Sequence, residues 1–203
     1  MGPATRKRKE KKKGAVVKKL VLGIVGEKRA GKDTFVRIFA RLLKKKGVTV
    51  STHHFSDTIA ACLTELGLEL SRENMQSFPV LIEAKYGKGV FSRAMARKVK
   101  KDAARIVVIQ GIRWWTDVAA LKALHGTLIY VTADKDVRFR RSVADSEKKD
   151  EAGMTRRKFE KQERAKTEIY IPQIAARANF RFENNGAERE LTRAIRKFVK
   201  ERF

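Results

Sequence analysis

Hydrophobic and polar positions alternate between two periods along the chain. Leu20–Val25 is an almost unbroken apolar run, the pattern of a strand buried on both faces of a parallel sheet. After a short glycine-containing loop, Phe35, Val36, Ile38, Phe39, Leu42 and Leu43 recur at helical spacing up to Lys44-Lys45-Lys46-Gly47, where basic residues and a glycine form a C-terminal stop. Val48–Phe55 predicts a second strand. Ser56 or Asp57 can cap a helix carrying Ile59, Ala60, Leu63 and Leu66, closed by Gly67. Ser71-Arg72-Glu73-Asn74 opens another helix, with Phe78-Pro79 near its start or at a bend. Val90–Lys101 follows as an amphipathic helix.

The same alternation continues to the end. Arg105–Ile109 and Thr127–Val131 predict buried strands on either side of a helix over Trp115–Leu124. Lys135–Lys149 and Thr155–Ile169 predict two very polar helices joined near Glu151-Ala152-Gly153. Asn179–Glu183 reads as a last short strand, Asn184-Asn185-Gly186 as a turn, and Ala187–Arg202 as a closing amphipathic helix. Strands alternating with helices imply an α/β domain with a mostly parallel sheet, right-handed crossovers and a ligand at the carboxyl ends of the strands.

Composition changes this picture in one respect. The 203 residues suit one domain with small insertions, and no apolar stretch approaches the roughly 20 residues of a membrane span. The basic N-terminus is not followed by an apolar signal core, so the expected location is cytoplasmic. The single cysteine, Cys62, has no partner for a disulfide or a CxxC site and reads as a small buried apolar side chain. The net charge of +25, however, is extreme. Residues 1–18, with the basic run Arg6–Lys13, predict a disordered tail able to attract nucleic acid without sequence preference. Residues 19–203 predict the folded domain, itself still basic.

The chemistry starts in the loop after the first strand, Gly26-Glu27-Lys28-Arg29-Ala30-Gly31-Lys32-Asp33-Thr34. Two glycines separated by four residues, then a lysine opening a helix, make a phosphate cradle. Glycine lets backbone N–H groups turn inward, the helix N-terminus adds its positive dipole end, and Lys32 reaches the terminal phosphates. His53 and His54 occupy opposite faces of one strand, and no other His or Cys stands at metal spacing, which argues against zinc.

From these residues the chain resembles P-loop nucleoside-monophosphate-kinase-like enzymes, most nearly the archaeal nucleotide kinases related to dephospho-coenzyme A kinase and adenylate kinase. The glycine loop is the most specific marker. Phe55-Ser56-Asp57-Thr58-Ile59, Tyr86-Gly87-Lys88-Gly89, Val107-Val108-Ile109-Gln110-Gly111-Ile112-Arg113 and Phe182-Glu183-Asn184-Asn185-Gly186 follow in the family's order. The resemblance implies a three-layer P-loop NTPase fold with a helical acceptor-side insertion over residues 57–101 and a helical lid over 138–168. It implies ATP and Mg²⁺ as cofactors and an AMP, deoxynucleoside monophosphate or dephospho-coenzyme A acceptor.

Residue by residue, it places Gly26 to Thr34 around ATP, with Lys32 on the migrating phosphoryl group. Asp57 would orient the acceptor hydroxyl, and Asp33 or Asp57 would serve Mg²⁺. Arg113 would meet an acceptor phosphate. Arg138, Arg141 and Arg164 would be lid arginines that neutralise the transition state. Each has a plainer alternative: first-turn helix stabilisation for Asp33 and Thr34, a cap for Asp57, a surface ion pair for Arg113. Two departures stand out. Gln110 occupies a position where the family carries an acidic residue, so it brings no charge to a metal. Family arginines near Ala60 and Ile82 are missing, and Arg93 and Arg97, on one face of the helix that carries them, are the substitutes considered. Trp114-Trp115 offers either ring stacking or core packing. A second reading, a nucleic-acid-associated nucleotide-binding protein with little kinase activity, follows from the charge and Gln110.

Overall fold

A computed structural model describes residues 19–148, 153–166 and 168–203. The basic tail and the predicted junction near Glu151 and Ala152 lie outside the described residues. Five strands form one sheet: β1 (Leu20–Val25), β2 (Val50–His54), β3 (Ile106–Gln110), β4 (Thr127–Thr132) and β5 (Phe180–Glu183), in the order β2-β3-β1-β4-β5. Every pairing is parallel, which is stricter than the mostly parallel sheet expected. β1 is central, with Leu22 opposite Val108 of β3 and Thr127 of β4.

The two-residue period of each strand sorts its side chains into two cores. On one face Leu22, Ile24, Ile106, Val108, Ile129 and Val131 pack with helices α1 (Lys32–Lys44) and α9 (Glu188–Arg202). Phe35, Phe39, Phe182 and Phe198 knit this layer together. On the other face Val21, Val25, Val107, Ile109, Leu128 and Tyr130 meet α4 (Val90–Lys101), α5 (Trp115–Ala123) and α8 (Ile171–Ala175). That makes the three-layer arrangement. No helix among the described residues is long and apolar enough to cross a membrane.

α2 (Phe55–Glu65), α3 (Arg72–Tyr86) and α4 occupy the span expected for the insertion, residues 57–101. The second strand ends earlier than its apolar pattern implied. Asp57 accepts a hydrogen bond from the His54 backbone N–H at 3.2 Å and pulls the helix start back to Phe55. α6 (Lys135–Lys148) and α7 (Arg156–Glu163) fall largely within residues 138–168, the span expected for a lid. The single helix expected over Thr155–Ile169 stops at Glu163. α8 then starts with Pro172 in its first turn, because Ile171 and Ile174 are drawn into the core. Cys62 is half-buried, less enclosed than expected.

Candidate functional site

The loop between β1 and α1 is shaped by lack of room. A Cβ on Gly26 would stand 2.0 Å from the Val131 carbonyl oxygen, so only glycine lets β1 turn beside β4. Gly31 caps α1 in the left-handed region, φ 95°, and a Cβ there would meet the Asn184 amide at 2.0 Å. Lys32 Nζ curls back to donate to the carbonyls of Gly26 and Glu27, each at 2.8 Å. Its ammonium lies deep in the loop. Desolvation, assisted by the nearby Arg113 charge, lowers its pKa from 10.5 to about 8. An anion bound beside it would favour the charged form and raise this pKa again.

The rest of the loop is clamped by its neighbours. Glu27 turns away from the phosphate side; its carboxylate accepts from Tyr130 Oη at 2.5 Å and Thr132 Oγ1 at 3.0 Å. Lys28 Nζ donates to Gln162 Oε1 of α7 at 2.7 Å, and Arg29, at φ 63°, pairs with Asp145 of α6. Asn184, just after β5, donates its amide to Ala30 O at 3.0 Å and accepts from Arg141 Nη2 at 2.7 Å. Arg141 also donates to Arg29 O at 3.2 Å, so one guanidinium ties the loop to the end of β5.

Two cavities open on either side of Lys32. The first, about 550 Å³, is lined by Gly31, Thr34, Arg141, Asp145, Asn184 and Gly186 among others, and runs along the loop toward the end of β5. The second, about 610 Å³, lies under α2 and α3 and is walled by Phe55, Ile59, Met75, Pro79, Val80, Phe91 and Trp114. Lys32, Asp33 and Arg113 line both. Two cations and a carboxylate therefore stand where the two spaces meet.

The sequence-derived candidates divide accordingly. Gly31, Lys28, Arg29, Lys32, Asp33, Thr34, Arg113 and Arg141 gather at the cavities, while Gly26 and Ala30 form the loop behind them. Arg113 pairs with Glu168. Asp57 is exposed at the start of α2, makes the capping bond to His54 N–H and lines neither cavity. Arg138 is buried and lines neither. Its Nε donates to Ala133 O at 2.9 Å, its Nη1 to Glu163 Oε1 at 2.8 Å, and its plane lies over Phe159. Its Nη1 also reaches Lys28 O at 3.5 Å, so it ties α6 and α7 to the back of the loop. Arg164 is exposed and lines a separate cavity with Gln76 and Arg157. Arg93 and Arg97 are exposed on α4 and line neither cavity, with Arg93 Nη1 on Lys88 O at 2.9 Å.

Some residues carry more than the sequence disclosed. Asp117 lines the second cavity and is almost wholly buried. It accepts from Ser92 Oγ at 2.6 Å and from the Arg113 and Trp114 N–H groups at 3.0 Å each, fixing the turn that presents Arg113 and Trp114. Burial raises its pKa despite these donors. Glu83 and Lys88 also face this cavity. Nothing in the local sequence singles out this carboxylate, because its partner Ser92 lies on another element. Gln110 is buried at the end of β3, its amide nitrogen 3.4 Å from His54 Nε2. Trp114 lines the second cavity and packs on Tyr170 at 5.8 Å, whereas Trp115 faces outward under Arg177.

No protein-family model matches the sequence, and a search of curated proteins finds no match. Solved structures do match. Shikimate kinase from Acinetobacter baumannii in complex with shikimate is 20% identical, with 90% of this chain and 94% of that chain covered and a TM-score of 0.56. Shikimate kinase from Bacteroides thetaiotaomicron is 14% identical over 90% and 96%, TM-score 0.54. APS kinase from Mycobacterium tuberculosis in complex with AMPPNP and APS is 11% identical over 90% and 98%, TM-score 0.51. At these identities the likeness establishes architecture: this chain has the α/β, phosphate-loop fold that these kinases share.

Proposed function

We propose that the protein is an ATP- and Mg²⁺-dependent phosphotransferase that moves the γ-phosphoryl group to a nucleotide or nucleotide-like acceptor. The observation that carries this reading is the pair of cavities meeting at Lys32, Asp33 and Arg113. Phosphoryl transfer requires two ligands in line with charge neutralisation between them, and little covalent work by the protein. In this reading the triphosphate lies along the loop, with the helix N-terminus and Lys32 on its terminal phosphates. Arg141 and Asn184 border the far end of that cavity, where the nucleoside would rest.

The residues fit Mg²⁺ in one way. The ion takes one or two carboxylates together with phosphate oxygens and water. Asp33 is exposed at the junction of the cavities and can serve through water, with Thr34 beside it. Gln110, turned to His54, can hold only a water. Mg²⁺ would add charge neutralisation on the phosphates; positioning and exclusion of water fall to Lys32, Arg113 and the lid helices.

On the acceptor side, Arg113 and Lys88 are the cations available to an acceptor phosphate, and Trp114 with Phe55 and Phe91 forms a surface for a ring. A coupled ADP-release assay across nucleoside monophosphates, deoxynucleoside monophosphates and dephospho-coenzyme A tests the reading. Shikimate and adenylyl sulfate, the acceptors of the similar structures, belong in the same panel. Acceptor-dependent ADP release with one nucleotide-like compound is expected. Release with a non-nucleotide alone would replace the acceptor class while keeping the transfer.

A further inference from the structure

The folded domain sorts its charges on one outer face. α1 and α9 both start at the carboxyl edge of the sheet and run side by side, Phe39 and Phe198 touching between them at 6.2 Å. At roughly 100° per residue, Arg189, Arg193, Arg196 and Lys200 fall within an arc about 60° wide on α9. The buried Leu191, Ile195 and Phe198 occupy the opposite side, so the stripe faces solvent. Glu188, Glu190 and Glu201 stand about 90° or more from its centre. On α1, Arg41 and Lys44 lie opposite the buried Phe35, Phe39 and Leu43 and so face solvent as a second row. Among the described residues these six make no ion pair; the one pair on this face, Arg37 with Glu188 at 2.6 Å, lies at its upper end.

We propose that this two-ridged face of α1 and α9 binds double-stranded RNA through its phosphates, separately from the phosphate-loop site. The stripe on α9 is about 16 Å long with a cation every turn. Packed helices set the two ridges about 8–10 Å apart. A rigid platform of that kind lies across the wide, shallow minor groove of an A-form duplex, which proteins read by shape and phosphate contact. B-form DNA offers a minor groove of about 6 Å, too narrow for two helices, and a major groove that admits one. A single strand would call for exposed aromatic platforms, and the exposed Tyr86 and Trp115 lie on other elements. A membrane surface would call for apolar groups beside the cations. The exposed Leu66, Leu68, Leu70, Val80 and Leu81 sit on the acceptor insertion instead.

The test uses the full chain and a fluorescent mixed-sequence RNA duplex of about 20 base pairs, with anisotropy titrations between about 50 and 200 mM salt. Three variants are compared: R41Q/R193Q/R196Q/K200Q on the face, R157Q/K158Q/K161Q on the lid, and K11Q/K12Q/K13Q in the tail. The face variant is expected to bind at least about tenfold more weakly, with the log–log salt slope reduced by about 3. Its melting temperature and ATP turnover stay unchanged. Unaltered affinity and slope in the face variant, an equal loss in the lid variant, or a loss confined to the tail variant would overturn the proposal. So would tighter binding to the matching DNA duplex.

Discussion

Replacing Lys32 by methionine should make the stability difference from wild type depend on pH in a defined direction. Burial in the loop lowers the Lys32 pKa from 10.5 to about 8. At about 1.36 kcal/mol per unit, the folded protein disfavours the ammonium by about 3 kcal/mol relative to the unfolded chain. A lysine whose folded pKa is depressed destabilises the fold fully below the folded value, and the effect fades as pH rises through the unfolded one. The penalty is therefore about 3 kcal/mol at pH 7 and about 1 kcal/mol at pH 10. Methionine carries no charge to desolvate. Wild type should then gain about 2 kcal/mol on the variant between these pH values, whatever the variant loses in contacts to Gly26 O and Glu27 O. Urea unfolding of both proteins at pH 7 and pH 10 reads this directly, and other titrating groups cancel in the difference. A difference that stays flat with pH would refute the desolvated-lysine argument. A difference that moves the other way would mean an anion already neutralises the ammonium.

Other outcomes follow from the same geometry. Gly26→Ala pushes a Cβ into the Val131 carbonyl and should destabilise the protein by about 1–3 kcal/mol while abolishing the thermal shift on adding Mg-ATP. Asp57→Ala should lose a helix cap, about 1 kcal/mol by thermal melting, yet keep ADP release within about threefold; a general base would lose about 10²–10⁴-fold. Arg138→Ala strips Glu163 of its partner and should lower stability by about 2–3 kcal/mol in denaturant titrations. Arg164→Ala, at an exposed position, should change stability by under about 0.5 kcal/mol and leave turnover intact.

The strand–loop–helix unit was legible because its signals are local. Apolar continuity, glycine spacing and the lysine all fall within one short stretch, and the structure places Lys32 at the junction of two cavities. The sheet was legible for a similar reason: strands buried on both faces read as continuous apolar runs. The lid arginines were not distinguishable from sequence. Arg138, Arg141 and Arg164 are equivalent as charges, and only the positions of Ala133 O, Glu163 and Asn184 separate a brace, a loop clamp and a solvated side chain. For Arg93 and Arg97, helical spacing gives the face the two residues share, not what that face meets, and neither lines the cavities beside Lys32. Asp117 was passed over because its role depends on Ser92, which α4 brings to it. The helix break before α8 also depended on tertiary burial of Ile171 and Ile174, which outweighed continuing a polar helix.

Calorimetric titration of Mg-ATP into wild type and Lys32→Met tests the central claim most directly. The account predicts saturable one-to-one binding to wild type, with proton uptake above pH 8 as the lysine recovers its charge, and at least about a hundredfold weaker binding to the variant. No heat of association at millimolar Mg-ATP, or equal affinity in both proteins, would contradict it.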